Sequence, residues 1–229
     1  MTVKINSVFQ SISGEAGGFP QGTWCTFIRL QGCNLKCSWC DTKGAQDASR
    51  GHEMALPQIV SAVKTRHVLI TGGEPLLQKD TKRLIQSLVD ERLIIQVETN
   101  GSMPIPRDIE DADNLYWVMD YKCPSSGMTH WTMRKDILAT TLLRPGVFIK
   151  FVIKDKDDLL FAMEELDEIT KLMFLEKQEV SPKGKFIFSP LDGNGRSIPE
   201  WVQTMREHGS KAYNWVTFSI QLHKLFRLP

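Results

Sequence analysis

Long apolar runs are missing from this sequence, as are a surplus of either charge, a recognisable linker and an internal repeat. No segment approaches the roughly 20 apolar residues that a membrane-spanning helix needs, and the opening MTVKINSVFQSISGE has no apolar stretch like that of a secretion leader. The chain therefore reads as soluble and cytoplasmic, with no membrane partner. Its 28 basic residues are matched by 27 acidic ones, which excludes nucleic-acid binding driven by net charge, because that draws on clustered Lys and Arg over many phosphates. A length of 229 residues without a low-complexity tract suits a single domain, 1–229, around one core.

Cysteine is scarce too. An odd total of five, with no leader, excludes a disulfide framework and implies reduced thiols. Cys25 and Cys123 stand alone and read as small buried hydrophobes. The other three, Cys33, Cys37 and Cys40, are packed into QGCNLKCSWCDT with C-x3-C-x2-C spacing. Three close thiols in a reducing compartment point to metal. A structural zinc site wants four ligands in two spaced pairs, and no second C-x2-C or H-x3-H follows downstream. A four-iron cluster held by three thiolates instead leaves one iron open to another ligand.

What is plentiful is short, β-branched apolar runs: TWCTFIRLQG (23–32), HVLITGGEP (67–75), LIIQVETNG (93–101), YWVMDYKCP (116–124), FIKFVI (148–153), KFIFSPLDG (185–193) and NWVTFSIQL (214–222). Continuous runs of this kind suit parallel strands covered on both faces. Helical spacing over 57–65, 81–89, 157–173 and 198–207, the last with Ser197 as N-cap, separates several of them. The alternation predicts right-handed βαβ crossovers and an α/β parallel sheet or partial barrel. The GGE, ETNG, DYK and SPLDG stretches all fall at strand ends, where such sheets gather ligands. The irregular segment 123–146 is expected to fold over the site as a flap. Gly72-Gly73-Glu74-Pro75 reads either as a tight turn or as a close backbone approach to a ligand, with Glu74 or nearby carbonyls accepting from an ammonium group.

The cysteine spacing, with Trp39 just before the last thiol, and GGEP closing the following strand, resemble the radical S-adenosylmethionine (SAM) superfamily. The flanks are more specific. Phe9 to Glu15, Thr26 to Cys33, Cys40-Asp41-Thr42-Lys43, Glu98-Thr99-Asn100-Gly101, Lys122 to Met128 and the tail Gln221-Leu222-His223-Lys224 to Pro229 are similar to the 7-carboxy-7-deazaguanine synthase family of the queuosine pathway.

That resemblance implies a partial (β/α)6 TIM-like barrel, a 4Fe–4S cluster in the loop 33–40, SAM at the open iron, and Mg2+. The activity it implies is that of a carbon–nitrogen lyase, converting 6-carboxy-5,6,7,8-tetrahydropterin to 7-carboxy-7-deazaguanine by radical ring contraction with loss of ammonia. Carried over by position, Cys33, Cys37 and Cys40 hold the cluster and Thr42 gives a hydroxyl oxygen to Mg2+, a hard ligand for a hard ion. Trp39, Cys40, Asp41, Gly73, Glu74, Gly101, Asp120, Tyr121, Lys122, Ser189, Pro190, Leu191 and Asp192 match SAM positions. Ile12, Ser13, Gly14, Glu15, Arg29, Thr99, Gln221, His223 and the carboxylate of Pro229 match substrate positions, with the tail 221–229 closing the site. Alternation places Cys25, Phe27 and Arg29 on one strand face, so Arg29 points into the barrel if that face is inward. Thr42 reads equally as a turn hydroxyl, and His223 as a strand cap. The family also implies a homodimer and an electron donor such as flavodoxin or ferredoxin.

Two departures stand out. Family members commonly read Q-G-E-G at Ser13-Gly14-Glu15-Ala16, and many read S-P-K at Asp120-Tyr121-Lys122. A glycyl-radical activase would share the cysteines and GGEP but not C-D-T or the Q-x-H-K tail, and a zinc module would share only the thiols.

Overall fold

The computed structural model describes residues 1–106, 109, 112–176 and 185–228. Three antiparallel strands stand at one side. β1 (Thr2–Ile12) pairs with β2 (Trp24–Leu30), placing Phe9 opposite Phe27, and β3 (His52–Ala55) adds to the other edge of β1. The sequence pattern for β1 differs from the rest: TVKIN alternates, but the pairs Asn6-Ser7, Val8-Phe9 and Gln10-Ser11 then break the alternation, so β1 carries no continuous apolar run.

Beyond β3 follow, in chain order and alternating except at β5 and β6, α1 (Leu56–Ala62), β4 (His67–Gly72), α2 (Thr81–Asp90), β5 (Ile94–Thr99), β6 (Leu115–Asp120), α3 (Lys135–Leu142), β7 (Val147–Ile153), α4 (Lys156–Glu176), β8 (Phe186–Pro190), α5 (Ile198–His208), β9 (Val216–Phe218) and α6 (Leu222–Phe226). The sheet order is β3-β1-β2-β4-β5-β6-β7-β8-β9, and each neighbouring pair from β2 to β9 is parallel. β3 and β9 remain edges, so the barrel is open, as a partial barrel requires. No helix among the described residues is long and apolar enough to cross a membrane.

The two faces of the sheet do different jobs. Ile28, Ile70, Val97, Met119, Phe151 and Phe188 point outward into one continuous core, where Ile59, Leu84, Leu138, Leu166 and Trp201 of the helices cover them. At about 25 cal/mol per Å2 of buried apolar surface, this layer dominates the stability of the fold. The opposite face starts with a small apolar floor of Cys25, Phe27, Leu69 and Phe19, and turns polar toward the strand ends.

Two local expectations change. Ser197 stands before α5, but its hydroxyl makes no capping bond; the preorganised start comes from Pro199 in the first turn. Segment 123–146 divides: Ser125 and Ser126 hold the cysteine loop, whereas α3, with Leu138, Ala139 and Leu142 buried against the core beside α4, belongs to the outer layer.

Candidate active site

The loop that carries the three thiols leaves the carboxyl end of β2 and is clamped from two sides. On one side, Gly73 N donates to Leu30 O at 3.1 Å and Glu74 N to Gly32 O at 2.8 Å. A Cβ on Gly72 would sit 2.2 Å from Leu30 O, and one on Gly73 would sit 2.0 Å from Gly32 O. The paired glycines thus let the end of β4 press on the backbone leading to Cys33, a close approach to the chain itself as well as to the cavity that Gly73 lines. Glu74 is fully buried, and both its oxygens are occupied: Oε1 accepts from Leu76 N at 2.9 Å and Thr99 Oγ1 at 2.8 Å, and Oε2 from Asn100 N at 2.6 Å. It ties the end of β4 to the end of β5 and does not line the cavity, so the three bonds it accepts hold the two strand ends together. On the other side, Ser38 N donates to Ser126 O at 3.0 Å and Trp39 Nε1 to Ser125 Oγ at 3.1 Å.

Cys33, Cys37 and Cys40 are all free thiols, and all three face one cavity of about 410 Å3. That volume lies within the usual range for small-molecule sites. Burial pushes the Cys33 and Cys37 thiols up from their ordinary range, so their thiolates call for a cation beside them. Among the described residues no three His, Cys, Asp or Glu side chains are gathered as around a single ion. Three partly exposed thiols opening on one chamber fit the donor set of a multi-iron cluster.

The chamber is floored by inward side chains of the parallel strands. Arg29 of β2 is level with Thr71 of β4, and Glu98 lies one strand further on. Arg29 points inward, as alternation predicts. Its guanidinium stands 5.2 Å from the centre of the Phe9 ring, and its buried Nε has no hydrogen-bond partner among the described residues. Burial lowers its pKa, with Asp41 and Glu98 opposing.

Opposite Arg29 lies a chain of buried charges. Lys150 of β7 bonds Glu15 Oε2 at 2.5 Å and Asp120 Oδ1 at 3.1 Å, while Lys122 bonds Asp120 Oδ2 at 2.6 Å and stands 5.5 Å from the centre of the Trp39 ring. Gln221 Nε2 donates to Glu15 Oε1 at 2.7 Å, leaving Gln221 Oε1 buried and unpartnered among the described residues. Burial works against the Lys150 charge, but Asp120, Glu15 and Glu98 outweigh it and raise its pKa. Asp120 is likewise lowered against burial by Lys122 and Lys150.

A third group sits where the tail returns. His223 Nε2 lies 3.5 Å from Asp41 Oδ2, and Thr42 Oγ1 donates to Asp41 Oδ1 at 2.9 Å. The His223 contact, helped by Thr42, holds the Asp41 carboxyl well below the usual range against burial. Leu222 N donates to Gly14 O at 2.9 Å, and a Cβ on Gly14 would meet His223 Nδ1 at 2.5 Å. Gly14, Thr42, Thr99 and His223 all line the cavity.

Other expected positions do not line it directly. Ile12 ends β1 opposite Trp24, and buried Ser13 spends its hydroxyl on Glu15 O at 2.9 Å. Tyr121 turns outward, with its hydroxyl on Glu165 Oε2 at 2.6 Å and its ring against Phe151. Gly101, at φ 74°, lies where a Cβ would be 2.2 Å from Asp120 O, and so packs on backbone. Ser189 is level with cavity-lining Val152, its buried hydroxyl unpartnered among the described residues, and Pro190 closes the strand. Leu191 O accepts from Lys224 Nζ at 3.0 Å and so supports the returning tail, whereas Asp192 Oδ1 accepts from Asn194 N at 3.1 Å within its own turn. Pro229 lies outside the described residues.

Glu98, Lys150 and Asn100 line the chamber without having been picked out as site residues. The signal was there for two of them: a charge inside an otherwise apolar strand, as in LIIQVET and VFIKFVI, marks an inward polar position in a barrel.

The radical SAM superfamily model matches residues 27–120. The 7-carboxy-7-deazaguanine synthase of Clostridium acetobutylicum is 33% identical over 234 residues, covering 100% of this chain and 98% of that one. The Aquifex aeolicus protein of that description is 29% identical, covering 99% and 94%. The crystal structure of QueE from Escherichia coli superposes with a TM-score of 0.69 at 22% identity, covering 96% of this chain and 94% of that one, which shows the shared fold. A full-length match at this identity, on a barrel whose strand ends bring the three thiols, GGEP and the returning tail around one chamber, leads to one conclusion: the chain belongs to the 7-carboxy-7-deazaguanine synthase family of radical SAM enzymes.

Proposed function

We propose that this chamber converts 6-carboxy-5,6,7,8-tetrahydropterin to 7-carboxy-7-deazaguanine. Cys33, Cys37 and Cys40 would hold a 4Fe–4S cluster, and the wall of Trp39, Gly73, Asp120 and Lys122 would take SAM, with the unpartnered hydroxyl of Ser189 beside it. When bound, these groups supply the 5′-deoxyadenosyl radical that removes hydrogen from C6 of the pterin, with Mg2+ assisting the ring contraction.

The observation that carries the substrate is Arg29. A half-buried guanidinium whose Nε is buried and unpartnered among the described residues, in the same cavity as the thiols, is a fork awaiting a carboxylate. Glu15, oriented by Lys150 and Gln221, and the free Gln221 Oε1 offer acceptors to the amino-pyrimidine edge of a pterin. Thr42 donates its proton to Asp41, which leaves the hydroxyl lone pairs for Mg2+. His223 and the tail would close over the substrate and exclude water. A one-electron donor and a homodimer belong to the same proposal.

Anaerobic incubation with reductant, SAM, Mg2+ and the carboxytetrahydropterin tests it. The expected product is 7-carboxy-7-deazaguanine; SAM cleavage without it would assign the chamber another substrate.

A further inference from the structure

We infer that Asn100 is a positioning residue for the cluster, donating its side-chain amide to the Cys33 sulfur and thereby raising the potential at which the bound cluster accepts an electron. The inference rests on Cys33 being a cluster ligand, as proposed above.

Asn100 Nδ2 lies 3.7 Å from Cys33 Sγ and 2.9 Å from Asn34 Oδ1. The orientation of this amide is fixed by its other end: Oδ1 accepts from Ser102 N at 2.9 Å and from Ser102 Oγ at 2.6 Å, so a flipped amide would set its own NH2 against those donors. Ser102 Oγ accepts in turn from Asn34 Nδ2 at 2.9 Å, closing a ring that spans the cysteine loop and the end of β5. The backbone of Asn100 is held as well, by the buried Glu74 carboxylate of GGEP at 2.6 Å. GGEP thus places the amide that faces the sulfur.

The arrangement is asymmetric. Cys33 Sγ also receives Leu35 N at 3.4 Å, whereas the Cys37 and Cys40 sulfurs receive no such bond among the described residues. An N–H directed at a ligating thiolate withdraws charge from it and favours the more negative, reduced cluster. Asn100 would therefore make the first electron transfer easier without touching the substrate's reacting carbon.

The test is a potentiometric titration of the anaerobically reconstituted holoenzyme, followed by electron paramagnetic resonance of the reduced cluster. Asn100→Ala removes the donor, and Asn100→Asp removes it while keeping the acceptor that Ser102 uses to hold the loop. Both should have midpoints more negative than wild type, with the full iron and sulfide content. Ser102→Ala, which leaves Ser102 N on Oδ1, should stay at the wild-type value. A wild-type midpoint in Asn100→Ala, or an equal shift in Ser102→Ala, would overturn the inference. Wild-type protein that takes up zinc and no sulfide would overturn the cluster proposal itself.

Discussion

Lys150 reaches from β7 to place its Nζ 2.5 Å from Glu15 Oε2, joining the loop after β1 to the far wall of the barrel across a sequence separation of 135 residues. Both side chains are less than a tenth exposed, and Asp120 shares the same ammonium group at 3.1 Å. Removing the cation leaves Glu15 buried with only the Gln221 amide, while Asp120 keeps Lys122. Lys150→Met should therefore destabilise the fold by about 3 kcal/mol or more, as breaking one side of a buried ion pair does. Chemical denaturation measures this, and Glu15→Gln added to Lys150→Met should recover part of the loss. A Lys150→Met protein as stable as wild type would contradict the assignment.

Glu98 predicts a pH dependence. Burial, with Glu15 and Asp120 adding to it and Lys150 and the hydrogen bond from Gln96 opposing, pushes its carboxyl up from 4.5 to about 7. Thr71 and Arg29 also face this group. The folded state therefore holds this proton more tightly than the unfolded chain, so its contribution to stability is full below about pH 4.5 and is lost as pH rises through about 7. Thermal midpoints of wild type should fall relative to those of Glu98→Gln across that window and then stay level. A difference that does not change with pH would show that Glu98 ionises normally.

Gly73→Ala should be costly and Gly44→Ala should not. The added methyl would lie 2.0 Å from Gly32 O in the first case, where only backbone could yield, and would meet nothing within 4 Å in the second. The expected loss for Gly73→Ala is about 1–3 kcal/mol, the usual range for overpacking. Iron uptake should fall with it, because the displaced segment leads into Cys33. Equal stability and iron content in the two variants would refute this role.

Asp158, at the start of α4, accepts from Ser125 N at 3.0 Å, Ser125 Oγ at 2.5 Å and Lys154 N at 2.9 Å, and Ser125 in turn holds Trp39. Asp158→Ala strands these donors at a cost of about 1–3 kcal/mol. The cysteine loop should loosen, so a chelator should strip iron from the reconstituted protein faster than from wild type. An unchanged release rate would show that the loop is held independently of this turn.

Much of this was legible in the sequence because the signals were local. The apolar runs of β4 to β8 mark doubly covered strands, and alternation set Arg29 inward. That the returning tail bonds Gly14 through Leu222 N is visible only in the fold. Long-range pairings were harder. Glu74 sits in a conspicuous tetrapeptide, yet only the fold shows that its oxygens accept from Leu76, Thr99 and Asn100. Tyr121 lies between two cavity residues, and strand alternation near Asp120 turns it outward to Glu165. The half-buried pattern of β1 and the small α3 fell below a test built on continuous apolar runs and long helical repeats.

The central claim is that Cys33, Cys37 and Cys40 hold the cluster on which turnover depends. Product formation in single Cys→Ala variants, each assayed anaerobically with iron and sulfide quantified, tests it most directly. Substitution of Cys33, Cys37 or Cys40 should abolish both SAM cleavage and the deazaguanine product with loss of iron, while Cys25→Ala and Cys123→Ala keep an intact cluster. A product-forming variant at any of the first three positions, or stoichiometric zinc without sulfide in wild type, would contradict the account.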